Sequence, residues 1–386
     1  VQADSTFALA WYYSAIAAWW DGDFLAAEEE VRSAQRAENR LTARDREGLA
    51  ALDALIRAKY SEAAAAYRAL LNRYPDDKEF AYGLGEALYH QGTDLPGARA
   101  AFEQAIDLDP SFGTPYYHLV DIATEEEDFE RALGYVRRLQ SADPEDPGLY
   151  LFRARVQAAR GDAQGAIASD RHALAIQPNL PHAWFDIVRL HVFQGQFDSA
   201  QTAMGELQKL GDRRGWEDAR LAFLVGTGRH REAIRMYRSL PPEEIGTPNQ
   251  RLAPLRQIYV TALIQTGDVE GAIAEMKSFL ADPMMVRALG RGAQADNLAD
   301  LYIAQGRIAD AEKLLREYDR SLVDSPTGHE IKNRTYIEGI LVLSKGRPRE
   351  AIPILERSRP MSPPGQLQAQ RGLALTRALV ASGDTS

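Results

Sequence analysis

Three prolines at a fixed spacing constrain the fold of this 386-residue chain more than any other feature of its sequence. Pro110, Pro144 and Pro178 follow one another at intervals of 34 residues, and the two segments between them repeat one pattern of small, apolar and polar residues. A 34-residue period that ends in proline is typical of a helix–turn–helix repeat. Such a unit buries its apolar face only against its neighbours, so the sequence predicts a stacked array instead of one globular core.

The turn inside each unit recurs along the whole chain. It consists of glycine, a polar residue, an apolar residue and, three positions later, alanine. Clear copies begin at Gly22, Gly161, Gly195, Gly228, Gly267, Gly306 and Gly346, and looser copies begin at Ala58, Gly92 and Glu127. These copies make ten units, and residues 373–381 form the first helix of a further half unit. Glycine ends the first helix in a left-handed conformation without steric cost, and alanine lets the paired helices approach closely.

These positions resemble the tetratricopeptide repeat (TPR). In that family a large residue begins the first helix, Leu followed by a small residue comes next, and the second helix carries an aromatic residue. The chain has Trp11, Tyr116, Tyr150 and Trp184 at the first place, Leu84-Gly85, Leu119-Val120 and Ile187-Val188 at the next, and Tyr67, Phe102 and Tyr237 in the second helix. The resemblance implies an all-α fold, a right-handed TPR superhelix (α-solenoid) of about ten helix-turn-helix repeats plus a terminal half repeat.

The pattern is regular over residues 1–240 and looser over residues 241–386. Pro- and Gly-rich connectors at 241–248 and 359–365 are longer than the 34-residue spacing allows. We expect the second region to continue the same superhelix with less regular TPR-like repeats. Both ends look cut within a repeat, so we expect the chain to be a piece of a longer protein.

The N-terminal third also resembles TPR extensions that follow bacterial receptor-type serine/threonine kinases. The resemblance rests on strings such as Leu41-Thr-Ala-Arg-Asp-Arg-Glu47 and Tyr82-Gly-Leu-Gly-Glu-Ala-Leu-Tyr-His90. It implies a sensing or docking region of a larger bacterial signalling protein. No kinase catalytic segment occurs in this sequence.

Composition narrows the class of protein. The formal charge is −10 and the sequence pI is about 5.4, which disfavours a nucleic-acid partner because such scaffolds are usually basic. There is no cysteine, so disulfide and thiolate chemistry are excluded. The sequence has no apolar run of about 18 residues, so we expect no direct membrane insertion by this chain. We expect a soluble cytoplasmic or extracytoplasmic region of a bacterial protein.

Catalytic motifs are missing from the sequence. It has no phosphate-binding loop and no Gly-x-Ser-x-Gly elbow, and its seven histidines form no metal-binding pair. We therefore expect no enzyme activity, no metal site and no cofactor. Gly83-Leu-Gly85 is interpreted as a tight helix contact. His191 is predicted to lie in the core, and His90 and His118 at the surface.

Two acidic features are interpreted as structural. Asp170 stands where the second helix normally carries a buried aromatic residue, and we expect it to face solvent or to pair with Arg171. The acidic run at residues 125–128 occupies a predicted hairpin turn, and we expect it to be a solvated loop.

First helices line the inner groove of TPR arrays, and this resemblance implies a set of binding residues. The candidates are Tyr12, Trp19, Tyr82, Glu86, Tyr89, Tyr117, Asp121, Arg155, Phe185 and Arg189. Tyr82, Glu86 and Tyr89 share one helix face, and we expect both tyrosines to be exposed in the groove. The alternative is that some of the tyrosines pack between repeats. Aromatic side chains with a few charges suit an extended or helical peptide. The Lys and Asn clamp of TPR co-chaperones is missing, so chaperone-tail binding is not expected.

The leading hypothesis is therefore a non-enzymatic scaffold that binds a protein or peptide partner in its groove. A second hypothesis is a self-assembly module that associates through exposed terminal helices. A third is a small-molecule sensor within the superhelix, which requires a pocket with convergent polar groups.

Overall fold

A computed structural model describes residues 7–20, 23–240, 252–283, 294–322, 326–358 and 366–383. These ranges contain 21 α-helices, one short 3-10 turn and no strand. The first fourteen helices are α1 Ala8–Trp20, α2 Phe24–Arg36, α3 Ala43–Ile56, α4 Tyr60–Arg73, α5 Lys78–Gln91, α6 Leu95–Leu108, α7 Thr114–Glu125, α8 Phe129–Ala142, α9 Pro147–Ala159, α10 Ala163–Ile176, α11 Pro181–Phe193, α12 Phe197–Lys209, α13 Arg213–Gly226 and α14 His230–Arg238. The others are α15 Leu252–Gln265, α16 Val269–Ala281, α17 Ala295–Ala304, α18 Ile308–Ser321, α19 Gly328–Ser344, α20 Pro348–Arg357 and α21 Gln366–Ser382.

The helices form ten antiparallel pairs and a final single helix, which confirms the all-α solenoid. Each helix packs on the next helix along the chain, and the first helix of a pair also packs on the first helix of the next pair, as α11 does on α13. We call the first helices inner helices and the second helices outer helices. The connectors at 241–248 and 359–365, the turn at Gly22 and both chain ends lie outside the described residues. The division near residue 240 stays a prediction.

From the second pair on, the turn within each pair has the geometry that its sequence predicts. Gly161 has φ +88° and Gly267 has φ +83°, the left-handed region that ends a helix. In the looser copies, Ala58 and Glu127 take the same conformation at φ +58°. The alanines that follow the turns are all buried, with 0–1% of their surface exposed, at Ala27, Ala63, Ala98, Ala132, Ala166, Ala200, Ala233, Ala272, Ala311 and Ala351. In every described pair, the alanine that follows the turn is therefore buried, which lets the two helices approach closely.

Glycines 83 and 85 lie at a close contact between helices. A Cβ atom on Gly83 would lie 2.5 Å from the ring of Tyr67, and one on Gly85 would lie 2.5 Å from the ring of Phe102. Both distances are too short for a carbon contact. The interpretation of Gly83-Leu-Gly85 as a packing feature of α5 is confirmed.

The buried apolar residues form three clusters, and the gap between the first two lies in the fifth helix pair. The clusters span residues 8–156, 167–223 and 221–378, so the second and third overlap at α13. The gap falls on α9 and α10, where polar side chains replace apolar ones. Arg153 stands 34 residues from Leu119 and from Ile187, which are 0% and 1% exposed.

Asp170 of α10 is buried in the same pair, with 1% of its surface exposed. Neither carboxylate oxygen has a hydrogen-bond partner among the described residues. Burial, reinforced by Asp186, raises the pKa of Asp170 to about 8. The prediction of a solvent-facing or Arg171-paired side chain is wrong, because the repeat places residue 170 on the inward face, where Val136 is buried in the preceding pair.

No helix within the described ranges is both long enough and apolar enough to cross a membrane.

Candidate functional site

Four charged residues occupy equivalent places on successive inner helices. Glu86 lies on α5, Asp121 on α7, Arg155 on α9 and Arg189 on α11. The last three are 34 residues apart, and the first interval is 35 because the turn at Gly92 holds one extra residue. The repeat thus builds a row of side chains along the inner face that changes from acidic to basic.

The acidic end of this row is buried. Glu86 is 1% exposed, and its Oε1 atom lies 2.7 Å from Nε2 of His118, while Oε2 lies 3.4 Å from Nε2 of His90. Burial favours the neutral carboxyl, but His118 and then His90 outweigh it and lower the pKa of Glu86 to about 2. The surface position predicted for His118 is wrong, because its ring stacks at 4.9 Å on Phe102 and is 4% exposed. His90 is partly exposed.

Tyr82 and Tyr89 face the same aromatic cluster. Tyr82 is 9% exposed, and its ring lies 6.0 Å from Trp20 at an interplanar angle of 15°. Tyr89 is half-buried, with its ring 4.5 Å from His118. The exposure expected for Tyr82 is wrong, because Trp20 reaches from α1 across α5 and also contacts Tyr117 on α7. Repeat positions alone did not identify Trp20; the paired tryptophans at the end of α1 are the only sequence signal for it.

The two candidates on α1 belong to the same cluster. Tyr12 is buried, with 4% of its surface exposed. Trp19 is half-buried, with its ring 5.3 Å from His90. These residues therefore pack the inside of the first four pairs, and little of their surface is open to a ligand.

The middle of the row is partly accessible to solvent through Arg155. Arg155 pairs with Asp121 and lies over the ring of Tyr117, with its guanidinium carbon 4.6 Å from the ring centroid. Tyr117 is 40% exposed. Asp121 is buried, and burial raises the pKa of its carboxyl while Arg155 opposes that rise. An aromatic face and a guanidinium are thus presented together.

The basic end also has an arginine–aromatic contact, here within one helix. On α11, the guanidinium of Arg189 lies 5.7 Å from the ring centroid of Phe185, and its Nη1 atom lies 3.2 Å from Oδ1 of Asp186. Arg189 is exposed and Phe185 is half-buried. We call Tyr117, Arg155, Phe185 and Arg189 the inner strip. They are the four predicted groove residues that combine accessibility with aromatic–arginine contacts.

A contact between distant pairs encloses part of the inner face. Gln91, at the end of α5, donates from Nε2 to the carbonyl of Pro326 at 3.3 Å, and Ser61 donates to Oε1 of Gln91 at 3.2 Å. Burial and Asp121 raise the pKa of Glu125, at the end of α7, to about 9, and Lys332 of α19 opposes that rise. The start of the tenth pair therefore meets the third and fourth pairs.

We call the contact of Gln91 with Pro326, with Lys332 near Glu125 beside it, the seam. It shows that the array has turned far enough for pairs seven units apart to touch. The prediction of a solvated acidic run at residues 125–128 is wrong at its first residue, because both carboxylate oxygens of Glu125 are buried.

A second buried polar group joins α17, α19 and α21. Arg371 is 3% exposed and lies 3.4 Å from Asp296, with its guanidinium 5.2 Å from the ring of Tyr336. It also donates to Asn333 and to the carbonyl of Ser358. These contacts tie the last three inner helices together. Among the described residues, no group of three or more His, Asp or Glu side chains could hold a metal ion.

Comparison with known proteins agrees with the fold. The tetratricopeptide repeat family model matches residues 49–112 and 117–181. A curated relative, cellulose synthase operon protein C of Pseudomonas fluorescens (strain SBW25), is 26% identical over 159 residues. That alignment covers 39% of this chain and 12% of the relative, so the chain spans only a small part of that protein's length. The resemblance to kinase extensions stays a prediction.

Solved structures extend the likeness along the chain. Yeast Tom70 superposes with a TM-score of 0.52 at 10% identity, covering 98% of this chain and 96% of Tom70. A tetratricopeptide repeat protein from Parabacteroides merdae has a TM-score of 0.41 at 14% identity, covering 72% of this chain and 98% of that protein. The Tom70 superposition shows a shared fold.

Proposed function

Because this chain belongs to the tetratricopeptide repeat superfamily, we propose that it is a scaffold that binds a peptide segment of a protein partner along the inner strip. TPR proteins are generally non-catalytic scaffolds for protein–protein interaction. The observation that carries the proposal is the contact of two solvent-accessible arginines on neighbouring inner helices, Arg155 and Arg189, with aromatic rings. Such pairs place apolar contact and hydrogen-bond donors side by side.

The inner strip favours a particular kind of peptide. The side chains of Arg155 and Arg189 are 33% and 60% exposed, and only Arg155 has a buried carboxylate partner. Their guanidinium groups suit carboxylate oxygens, and the rings of Tyr117 and Phe185 suit apolar side chains. The proposed ligand is therefore a segment in which acidic and apolar residues alternate at a spacing that follows the inner helices.

The place of this scaffold in a larger protein is also a proposal. A sensing or docking region of a bacterial signalling protein is supported by the resemblance to kinase extensions and by the bacterial origin of the curated relative. The match to 12% of that relative supports a region that works within a longer chain.

A phage-displayed random peptide library provides a ligand for testing the inner strip. Peptides selected on the wild-type chain are expected to bind at least tenfold more weakly to Tyr117→Ala and to Arg189→Glu. Arg231→Glu on the outer helix α14 makes the same charge change at an exposed site and is expected to keep their affinity. Equal binding by all three folded variants, measured by fluorescence anisotropy, would show that the strip is not the binding surface.

Self-association is a second candidate, favoured by the last helix. Leu373 and Val380 lie seven residues apart on one face of α21 and are 51% and 64% exposed. A second copy of the chain would bury this face. Light scattering over a concentration series should show a rising mass that Leu373→Lys/Val380→Lys abolishes; a constant monomer mass would eliminate the candidate.

A further inference from the structure

A cleft of about 370 Å³ lies between the outer helix α8 and the inner helix α9, away from the inner strip. Its apolar lining consists of Leu133, Val136 and Val156, and its cationic lining consists of Arg137, Arg153 and Arg160. Gln140 and Gln157 add amide groups. An apolar floor with convergent polar groups is the usual composition of a small-molecule site.

The cleft forms where Arg153 replaces the buried apolar residue of the neighbouring pairs. The equivalent residues Leu119 and Ile187 fill the space against neighbouring helices and are buried. Arg153 instead donates from Nη2 to Oε1 of Gln140 at 3.1 Å, and its guanidinium lies 5.5 Å from the ring of Tyr150. A charged group thus replaces a packed apolar side chain at the gap between the first two core clusters.

The charges of the cleft are unbalanced. Its one acidic lining residue, Asp162, accepts a hydrogen bond from the backbone N–H of Gly165 at 2.9 Å and so caps α10. Within the part of the chain that the structure describes, no carboxylate pairs with Arg137 or Arg153, and Arg160 lies 3.8 Å from the exposed Glu130. The cleft therefore has more guanidiniums than carboxylates, in a chain of net charge −10.

We propose that this cleft binds a small phosphate monoester that carries an apolar substituent. A phosphate monoester has a charge of about −1.5 to −2 at pH 7, which the surplus of guanidiniums attracts. Guanidinium groups bind phosphate oxygens in bidentate fashion. The apolar floor gives the substituent a surface to bury, and the volume suits a group of one ring.

A ligand bound in the cleft should stabilise the whole array. The ligand would fill the cleft beside the gap in the buried core and neutralise guanidiniums that lack carboxylate partners. A ligand that binds only the folded chain raises the melting temperature by mass action. The site shares the helix α9 with the inner strip but shares no residue with it.

Phenyl phosphate is the probe for calorimetry and thermal unfolding of the full chain. We expect it to bind and to raise the melting temperature, with at least tenfold weaker binding of inorganic phosphate, which has no ring, and of benzoate, which has one negative charge. Equal binding of benzoate would overturn the phosphate assignment. A melting temperature unchanged by phenyl phosphate would overturn the site.

Two variants and one control locate the binding. Arg153→Leu introduces the residue type of the neighbouring pairs, and Arg137→Gln/Arg160→Gln removes the outer charges; both are expected to lose at least tenfold in affinity. Arg171→Gln, at the exposed place equivalent to Arg137 in the next pair, should bind like the wild type. Unchanged affinity in the double variant would overturn the proposal even where Arg153→Leu does not fold.

Discussion

Asp170 is a buried carboxyl that destabilises the folded chain as the pH rises. Its carboxyl has a pKa of about 8 in the folded chain against 3.8 as its ordinary value, so folding favours the protonated form. The unfolded chain loses this proton first, and stability is therefore lost as pH rises from about 4 towards 8.

We expect Asp170→Asn to be more stable than the wild type at pH 8, by about 2 kcal/mol, because no charge has to be buried. The variant should also show a flatter dependence of unfolding free energy on pH between 5 and 8. Urea titrations at several pH values measure both effects. Asp198→Asn, an exposed carboxyl on α12, is the control; the same flattening there, or none in Asp170→Asn, would contradict the burial argument.

Glu86 has the opposite effect on stability. Its folded pKa of about 2 lies below the ordinary value of 4.5, so its pairing with His118 stabilises the fold above pH 4.5 and is lost as pH falls towards 2. Glu86→Ala leaves His118 buried without its partner and should cost about 3 kcal/mol at pH 7. Glu86→Leu/His118→Phe removes both groups and should cost less than Glu86→Ala. Denaturant titration measures the unfolding free energy of both variants. Equal losses in the single and the double variant would contradict the coupling between Glu86 and His118.

Sequence position predicted the rows of residues better than it predicted their exposure. The 34-residue frame correctly aligned Asp121 with Arg155 and Tyr117 with the inner face, because each repeat imposes the same local geometry. The same frame wrongly predicted an exposed Tyr82, because the ring that covers Tyr82 is Trp20, from a helix two pairs earlier. Contacts that skip repeats follow from the curvature of the array, and no local pattern encodes them.

At the scale of the elements, the turn determines where each pair begins and ends. The glycine copies reach φ near +70° to +90° freely, whereas Ala58 holds φ +58° against its Cβ. A non-glycine residue in the left-handed conformation costs about 1–2 kcal/mol of folding free energy. Glycine avoids that cost, but its greater freedom in the unfolded chain costs about 0.5–1 kcal/mol.

Ala58→Gly should therefore stabilise the chain by up to about 1 kcal/mol. The matched change Ala65→Gly lies at an exposed site within α4 and should instead destabilise by about 1 kcal/mol. The opposite signs separate the effect of the turn from a general effect of glycine. Thermal melts of both variants test the prediction, and a loss of stability in both would contradict it.

Across the whole molecule, the number of pairs follows from the sequence and the seam does not. The turn markers counted ten units and a half, which the described helices reproduce. The hydrogen bond of the seam joins residues 235 positions apart, and neither residue type nor spacing predicts it. Its position depends on small rotations that accumulate over seven units.

Cross-linking tests the closed turn directly, because the chain contains no cysteine. We expect Gln91→Cys/Pro326→Cys to form an intramolecular link rapidly with a short bismaleimide, detected as a faster-migrating band under denaturing conditions. In Gln91→Cys/Lys345→Cys, the second cysteine sits past the far end of α19, about 25 Å further along the 17-residue helix. That pair should remain unlinked.

Lys332, which lies near Glu125 at the seam, allows an independent perturbation. Lys332→Glu places two carboxyl groups together at the buried end of α7 and should slow the linking of Gln91→Cys/Pro326→Cys severalfold. The exposed change Lys313→Glu on α18 should leave the rate unchanged. Equal rates for the seam and control pairs would show that the turn is open in solution, and the contact between the third and tenth pairs would then not restrict entry to the inner face.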